Sequence, residues 1–573
     1  MRAAGVPAPG EAPVVASSAA ALLRSNGTDP EIAARPALRT PERTWTHGEV
    51  YAEAGRYATL FRERLPADRP PHVGVLADNI PEYLFTFAGA ALIGATVVGL
   101  NHTRQGEHLL RDLQHADVGL VITESAHQGD LDPIRADLGL PPENVLRAGP
   151  ELEAALPADP ADPAGLGPEP ALDTLWALIF TSGTSSAPKA VICTQRRLLV
   201  TGNRMRMLMD IGPDDVGYIC MPLFHSNAVM VGWAPSIVAG ASVGLGRRFS
   251  VSQWLPDVRR YGATWFSYTG KPLSYLVASP EQPDDADNPL RVAFGNEGAP
   301  DVVERFSRRF GVRVIDAFGA TEGGIAVNRE EHMPTGALGR AGAAVKVVDE
   351  DGVAKPVARL DAEGRLLNPE DSVGEIVNTA GSGPFEGYYN NDEANEKTTR
   401  NGWYWSGDLG YLDEDRFLYF AGRTADWIRV DGENFPAGPV EDALVRHPEV
   451  IVAAVYGVPD RSAGDQVMAT VVVREGASLD PAELGTWIDA QADLGPKWRP
   501  RYVRVAREVP TTGTNKVLKR DLARQKFRSD RVGGDPVWHR DRGEVAYRPF
   551  TAEDEAQFLA DLTAAGRSRF WDL

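Results

Sequence analysis

The sequence predicts an α/β protein with a large N-terminal domain of doubly wound sheets, a small β-barrel-like part and a small α+β C-terminal domain. Two stretches, residues 17–125 and 175–318, alternate helix-like and strand-like segments, which is typical of open sheets covered by helices. Residues 339–389 are instead β-rich and punctuated by glycine. The pattern changes again near Arg423, and we place the domain boundary between residues 425 and 426.

Each domain shows periodic segments of the expected length. The first stretch has helical spacing at residues 49–65 and 82–92 and strand-like runs at His72–Leu76 and 118–123. The second has predicted strands at 175–180, 218–221, 264–268, 291–294 and 313–318, with helices at 252–261 and 301–310. The C-terminal domain has predicted helices at 440–447 and 481–492, with strands at 450–456, 467–473 and 501–505.

The composition excludes several classes of protein. A formal net charge of −20 argues against nucleic acid or an anionic membrane as the partner. Cys193 and Cys220 lie in apolar surroundings and are expected to be core residues. Proline and glycine interrupt the N-terminus, so it shows no export signal, and the most apolar segment, residues 88–100, is too short to span a bilayer. We therefore expect a cytoplasmic protein with no integral membrane segment.

A segment rich in hydroxyl groups directly follows the 175–180 run. It comprises Thr181, Ser182, Gly183, Thr184 and Ser185, followed by Ser-Ala-Pro and Lys189. Hydroxyls and uncovered backbone amides donate hydrogen bonds and the lysine adds positive charge, so the segment suits a polyphosphate. It lacks the GxxxxGK[ST] pattern of the Walker loop. Its composition alone favours a flexible loop between two elements.

Further segments with polar residues in turn-like surroundings occur downstream. They are residues 318–323 (FGATEG), 404–410 (YWSGDLG), Gly422-Arg423 with Asp426, 432–434 (GEN) and 511–520 (TTGTNKVLKR). Taken singly, each has a plain explanation: a capping carboxylate, an Asx-turn or a solvated lysine. Their joint order and spacing are much less common.

Taken together, these motifs resemble the acyl-adenylate-forming superfamily, which includes acyl-CoA synthetases, peptide-synthetase adenylation domains and beetle luciferases. The resemblance covers about residues 30–527. Residues 79–83 (NIPEY), 295–298 (GNEG) and 301–303 (DVV) are most similar to long- and very-long-chain acyl-CoA synthetases of the fatty-acid-transport-protein type. The resemblance implies an acid–thiol ligase that uses ATP, Mg²⁺ and coenzyme A, and it allows a homodimer.

Site residues carry over from the resemblance by motif position. The 181–189 segment would bind the β- and γ-phosphates of ATP, and Thr184 and Glu322 would hold Mg²⁺. Thr321 would contact the α-phosphate or the adenylate, and His225 would lie beside the reacting carboxylate.

The nucleoside would be bound by a second group of residues. Asp408 and Arg423 would bind the ribose. The segments expected to flank adenine contain Asn296, Glu297, Gly298, Phe318, Gly319 and Ala320.

Lys516 carries the most specific expectation from the resemblance. Adenylate formation brings a carboxylate to a phosphate, so the transition state needs a cation, whereas attack of a thiolate on the adenylate does not. The small domain is therefore expected to be mobile and to rotate about Asp426 between the two steps. Gly432 would then line the pantetheine tunnel, where a narrow channel leaves no room for a Cβ.

The chain departs from the family pattern at several positions. Ser185 or Ser186 and Ala190 stand where glycine is common. Asn515 stands where glycine usually precedes the lysine, and Ala425 stands where lysine is common. We expect the departures at 185 or 186 and at 190 to change only the stiffness of the hydroxyl-rich loop.

Other readings share part of this pattern. The adenylate could be passed to the phosphopantetheine arm of a carrier protein, or attacked by oxygen as in luciferases. Residues 240–244 (GASVG) also fit the GxSxG pattern of serine hydrolases, but that elbow should lead into a helix and residues 245–249 look like a strand or hairpin. Packing of small residues in a strand is therefore the better account of this pattern. The acid itself is not fixed, but aromatic residues between His225 and Ile325 suggest a large apolar acid, either a fatty chain or a polycyclic acid. These are Trp233, Trp265, Phe266 and Tyr268.

Overall fold

The computed structural model describes two units of the chain. One comprises Met1–Ala326 with Ala380–Tyr404, and the other Val327–Thr379 with Trp405–Leu573. The described residues are 12–571 except 159–164, 182–187, 270–271, 297, 299, 326, 329–332, 335, 362–365, 424–426, 431–432, 462–464, 492–493, 496, 513–515, 542, 565–566 and 569–570. The predicted domain boundary at residues 425 and 426 lies among the omitted positions and stays a prediction.

The first sheet of the N-terminal unit has six strands. In spatial order they are Val145–Arg147, Leu120–Thr123, His72–Leu76, Thr96–Gly99, Leu175–Thr181 and Lys189–Thr194. All pairs are parallel except the last. Parallel strands need long crossovers, and the helices Pro81–Ile93 and Glu107–His115 supply two of them. Glycine ends the first of these helices, because Gly94 takes a φ of +73° that other residues rarely adopt.

The second sheet of this unit has seven strands. In spatial order they are Arg313–Asp316, Val292–Asn296, Trp265–Thr269, Val216–Ile219, Ser242–Leu245, Pro36–Arg39 and Thr44–Thr46. Here too the pairs are parallel except the last. The two parallel sheets confirm the predicted doubly wound class.

Helices connect these strands and pack beside them. The remaining α-helices of the unit are Ala19–Thr28, Pro30–Ala33, His47–Arg64, Gln128–Leu131, Pro150–Ala155, Gln195–Met209, Ala234–Ala239, Val251–Tyr261, Pro272–Ala278, Pro300–Phe310 and Asp392–Thr398. The helix His47–Arg64 begins with a capping box, in which Thr46 and Glu49 satisfy each other's backbone amides. Both cysteines are buried and form no disulfide, as predicted.

The second unit contains a six-stranded sheet. Its spatial order is Val327–Asn328, Ala337–Ala341, Phe417–Arg423, Tyr404–Leu412, Gly374–Asn378 and Val345–Val348. The central strands Tyr404–Leu412 and Phe417–Arg423 form an antiparallel hairpin. This sheet is the predicted β-barrel-like part, and the short helix Pro369–Ser372 precedes one of its strands.

A separate α+β portion follows in the same unit. Its sheet has the order Val450–Pro459, Asp465–Val473, Tyr502–Ala506, Val537–His539 and Arg548–Pro549, preceded by a two-stranded ribbon of Trp427–Val430 and Glu433–Pro436. Its helices are Gly438–Val445, Pro481–Asp489, Lys519–Gln525 and Ala552–Ala564. Phe435 and Trp498 stack in its core with ring centroids 4.9 Å apart. Across the described parts of the chain, no helix is both long and apolar enough to cross a bilayer.

Candidate active site

The predicted site residues of the N-terminal unit follow the carboxyl ends of parallel strands. His225 comes after Val216–Ile219, Asn296 ends its own strand, and residues 318–322 follow Arg313–Asp316. In open α/β sheets, ligands bind in the crevice outside these strand ends. The topology therefore gathers motifs that lie about a hundred residues apart.

The turn that contains Thr321 and Glu322 is held from behind by Arg197. This side chain, 8% exposed, donates hydrogen bonds to the backbone carbonyls of both turn residues and, at 3.0 Å, to that of Ile192. Arg197 lies in the first turn of the helix that follows the strand Lys189–Thr194. Sequence reasoning missed it, because an arginine near a helix start carries no local signal of a partner more than 120 residues away.

Tyr388 orients the carboxylate of Glu322. Its hydroxyl donates a hydrogen bond of 2.8 Å to Glu322 Oε1, and the Nζ of Lys189 lies 5.3 Å from the centre of its ring. Burial, followed by the charge of Glu322, raises the pKa of Tyr388, which keeps the phenol protonated as a donor. A half-buried carboxylate fixed by a hydrogen bond fits a hard cation such as Mg²⁺, which prefers carboxylate oxygen. Tyr388 was not predicted from the sequence.

The His225 motif meets the same turn through its neighbour. The hydroxyl oxygens of Ser226 and Thr321 lie 3.0 Å apart. His225 itself donates its backbone N–H to the carbonyl of Pro222 at 3.0 Å. A π-helix, Asn227–Trp233, follows at once; such segments are rare and frequent at functional sites. The structure thus brings the motifs of two predicted catalytic residues, His225 and Thr321, together.

The segments predicted to flank adenine also meet. Asn296 donates from Nδ2 to the carbonyl of Gly319 at 3.1 Å. The backbone N–H of Gly298 donates to Asp316 Oδ2 at 2.9 Å, and the hydroxyl of Tyr268 donates to the same oxygen at 2.6 Å. Asp316 was not predicted, although it lies two residues before the 318–322 motif. Its carboxylate ties the two segments together.

The other residues expected near adenine are less constrained. Phe318 is half-buried, and Gly319 and Ala320 are exposed. Glu297 lies outside the described residues. Asn296 Oδ1 is buried and has no hydrogen-bond partner among the residues that the structure describes.

The hydroxyl-rich segment connects two antiparallel strands. Thr181 ends one strand, Lys189 begins the next, and the two residues are cross-strand partners. The segment therefore leaves and re-enters the first sheet at a single point. The predicted phosphate-binding residues Ser182, Gly183, Thr184 and Ser185 lie outside the described residues.

The two predicted ribose residues are neighbours in the second unit. Asp408 pairs with Arg423 across the antiparallel hairpin. Asp408 was expected in a tight turn, but it lies inside the strand Tyr404–Leu412. The misleading signal was Gly407, which takes a φ of +72° within that strand and donates its N–H to Glu375 at 2.9 Å.

Lys516 lies near the start of the helix Lys519–Gln525 in the same unit. Thr511 and Val517, on either side of Lys516, form an isolated β-bridge. The backbone N–H of Thr512 donates to the carbonyl of Lys516 at 2.7 Å, and the backbone N–H of Lys516 donates to the hydroxyl of Thr512 at 3.1 Å. Lys516 is half-buried. The predicted hinge Asp426 and tunnel residue Gly432 lie outside the described residues.

The structure excludes one alternative and leaves one expectation as a prediction. Ser242 of the GxSxG pattern is 3% exposed and begins a strand, and the next helix starts only at Val251, so there is no nucleophile elbow. The aromatic residues expected to line an acyl pocket are buried, so their role there stays a prediction; their exposures are 0–4%: Trp233, Trp265, Phe266 and Tyr268. They pack against protein groups, as when Trp233 stacks on Trp176 at 6.0 Å.

Comparisons with known proteins show the family to which this chain belongs. The AMP-binding enzyme family matches residues 30–389, and the AMP-binding enzyme C-terminal domain matches residues 439–516. "Steroid-22-oyl-CoA synthetase" of Rhodococcus jostii is 46% identical over 544 residues, which cover 94% of this chain and 96% of that protein. "Medium/long-chain-fatty-acid--CoA ligase FadD17" of Mycobacterium tuberculosis is 46% identical over 484 residues, which cover 84% of this chain and 91% of that protein.

Solved structures share the fold. ATP-bound MatB from Rhodopseudomonas palustris superimposes with a TM-score of 0.75 at 24% identity, covering 89% of this chain and 98% of that one. The anthranilate CoA ligase AuaEII in complex with anthranoyl-AMP gives a TM-score of 0.74 at 22% identity, covering 90% and 97%. With both of its domains matched, in the order that the motifs predict, this chain belongs to the AMP-binding enzyme family.

Proposed function

We propose that this protein is an ATP-dependent acyl-CoA synthetase that converts a bulky apolar carboxylic acid into its CoA thioester by way of the acyl-adenylate. The similarity to steroid-22-oyl-CoA synthetase along 94% of the chain carries this proposal. The acid is then a steroid side-chain acid or a medium- to long-chain fatty acid. The aromatic residues between His225 and Ile325 are buried, and we propose that some of them line the acyl pocket.

In the first step, a carboxylate oxygen of the acid attacks the α-phosphorus of ATP and pyrophosphate leaves. Glu322, oriented by Tyr388, would hold Mg²⁺ together with Thr184, and the cation would offset the charge of the phosphates. Thr321 lies beside Ser226 of the histidine motif, where it would contact the reacting phosphate.

Lys516 would supply the cation that the meeting of two anions requires. Removing such a donor typically costs about 10²–10³ in rate. In the second step, the thiolate of CoA attacks the acyl carbonyl, the thioester forms and AMP leaves. Lys516 has no task there, so the small domain would turn about Asp426 and admit the thiol past Gly432.

Two separate groups of residues would bind the nucleoside. Asp408 would accept hydrogen bonds from the ribose hydroxyls beside its cross-strand neighbour Arg423. Asn296 and Gly298, tied together with Asp316 and Gly319, would flank adenine. We also propose a cytoplasmic location and a homodimer; light scattering of the purified protein would test the second.

The test is pyrophosphate release with a panel of acids, followed by detection of AMP and thioester. We expect turnover with steroid side-chain and long-chain acids, none with acetate, and thioester formation only when CoA is added. Pyrophosphate release without any CoA-dependent thioester would instead favour a carrier protein as the acceptor. No pyrophosphate release with any acid would contradict the adenylation itself.

Lys516→Ala tests the role of the small domain. We expect pyrophosphate release to fall about 10²–10³-fold, while thioester formation from supplied acyl-adenylate is kept. Arg520→Ala is the matched control, since this exposed cation lies four residues away. Equal loss of both half-reactions in Lys516→Ala, or an equal effect of the control, would contradict the assignment.

A further inference from the structure

Three metal-ligating side chains converge at the carboxyl edge of the first sheet. Asp78 follows the strand His72–Leu76, His102 follows Thr96–Gly99, and His127 follows Leu120–Thr123. These strands are adjacent, since His72–Leu76 pairs in parallel with both of the others. The loops that follow them therefore leave the same edge side by side. None of these residues belongs to the adenylation motifs.

The geometry of this trio is that of a shared ligand. Asp78 Oδ1 lies 3.0 Å from His127 Nε2 and 3.8 Å from His102 Nε2. One ligand atom from each residue falls within 4.8 Å of the other two. The imidazole rings stack at 4.7 Å with an angle of 14° between their planes, so both present their edges in the same direction. Each side chain is only 12–24% exposed.

We propose that Asp78, His102 and His127 form a binding site for a divalent transition-metal ion of the Zn²⁺ type. Two imidazole nitrogens and one carboxylate oxygen are a donor set that suits Zn²⁺, Ni²⁺ or Co²⁺ and not Mg²⁺, which prefers oxygen alone. Three protein ligands would leave the fourth position for water. This site is distinct from the Mg²⁺ position at Glu322 in both place and chemistry.

The surroundings supply the outer groups that such a site needs. Asp130 Oδ2 lies 3.6 Å from His127 Nδ1, on the far side of that ring, where a carboxylate would orient a metal-bound imidazole. Arg247 lies 3.3 Å from Oδ2 of Asp78 and 2.8 Å from Glu124, so Oδ1 of Asp78 stays directed at the imidazoles. The carboxylates here belong to Asp78, Glu124 and Asp130, and the guanidinium to Arg247. With both imidazoles neutral, the local charge is −2, which a dication would neutralise.

A simple ion pair explains only part of this arrangement. The contact between Asp78 and His127 would be complete without a second imidazole. His102 nevertheless turns its Nε2 toward the same carboxylate oxygen, and its ring packs edge-to-face with that of Phe224, with 5.3 Å between the ring centroids. A cation between the three atoms satisfies all of them at once. It would also tie together three separate loops. His102, in one of these loops, contacts Phe224, which directly precedes His225.

The experiment is a zinc titration of the full-length protein after removal of metal with a chelator. Competition against a chromophoric zinc indicator should show one Zn²⁺ per chain, and Co²⁺ should give the visible absorption of a four- or five-coordinate site. Millimolar Mg²⁺ should not compete. His102→Ala and His127→Ala should each weaken zinc binding at least about tenfold. His108→Ala, an exposed histidine in the same part of the chain, should leave it unchanged.

Loss of fold must be separated from loss of ligand. Zn²⁺ should raise the melting temperature of the wild-type protein and of His108→Ala, but not that of His102→Asn, which keeps a polar side chain of similar width. The proposal is overturned if zinc binds no more tightly than to unrelated surface histidines. It is equally overturned if His102→Asn and His127→Ala bind zinc as the wild type does.

Discussion

Replacing Tyr388 by phenylalanine removes one hydrogen bond to Glu322, the carboxylate that we propose as a Mg²⁺ ligand. The change removes the hydroxyl that donates to Glu322 Oε1 at 2.8 Å. It keeps the ring, which packs edge-on against Phe385 at 4.8 Å and lies 5.3 Å from the ammonium of Lys189. A hydrogen bond to a charged group contributes about 1.5–3 kcal/mol, and partners of metal ligands typically change affinity or activity by about 10–100-fold. We therefore expect the KM for Mg·ATP to rise by about one to two orders of magnitude.

The neighbouring tyrosine provides the control for this prediction. The hydroxyl of Tyr389 donates to Asp117 Oδ2 at 2.9 Å, so Tyr389→Phe removes an equivalent bond one residue away. Pyrophosphate release measured against Mg·ATP should show a change below about twofold for Tyr389→Phe. An unchanged KM in Tyr388→Phe, or an equal rise in both variants, would refute a role of Tyr388 in orienting Glu322.

Three further perturbations test other parts of the structure. Arg309→Met breaks a buried ion pair with Asp285 of 2.6 Å and should cost about 3–5 kcal/mol in the free energy of unfolding, read by urea denaturation. Arg308→Met, on the adjacent but exposed residue, should cost less than about 0.5 kcal/mol. Burial lowers the pKa of His47 from 6.5, so the unfolded state binds more protons below that pH and stability falls; His47→Gln should flatten this fall. Asp408→Ala should raise the KM for ATP with little change in the KM for the acid.

Each of these has a clear contrary result. If the two arginine variants unfold at the same urea concentration, the buried pair contributes nothing. Parallel stability profiles of wild type and His47→Gln between pH 7 and pH 5 would remove this histidine from the acid response. An unchanged dependence on ATP would remove the ribose role of Asp408.

Much of the fold could be predicted because its signals are local. Apolar runs such as Leu175–Thr181 identify buried strands, and helices carry their own caps, as Thr46 and Glu49 show. Prediction failed where a local pattern had two meanings. The glycine at 407 suggested a turn, but antiparallel pairing with the next strand holds that segment extended. The acidic segment at residues 283–289 carries no local signal of burial, yet Asp285 within it is 4% exposed because Arg309 pairs with it.

The sequence by itself determined the family and the order of the motifs, and it identified the side chains that we propose to carry the chemistry, because these depend on residue type and spacing along the chain. Only the tertiary structure decided which side chains support them. Tyr388 reaches Glu322 across 66 residues, Arg197 reaches the same turn across 125, and three successive strands bring Asp78 to two histidines. Such contacts follow from the order of strands in a sheet, and no periodicity within a single segment encodes that order.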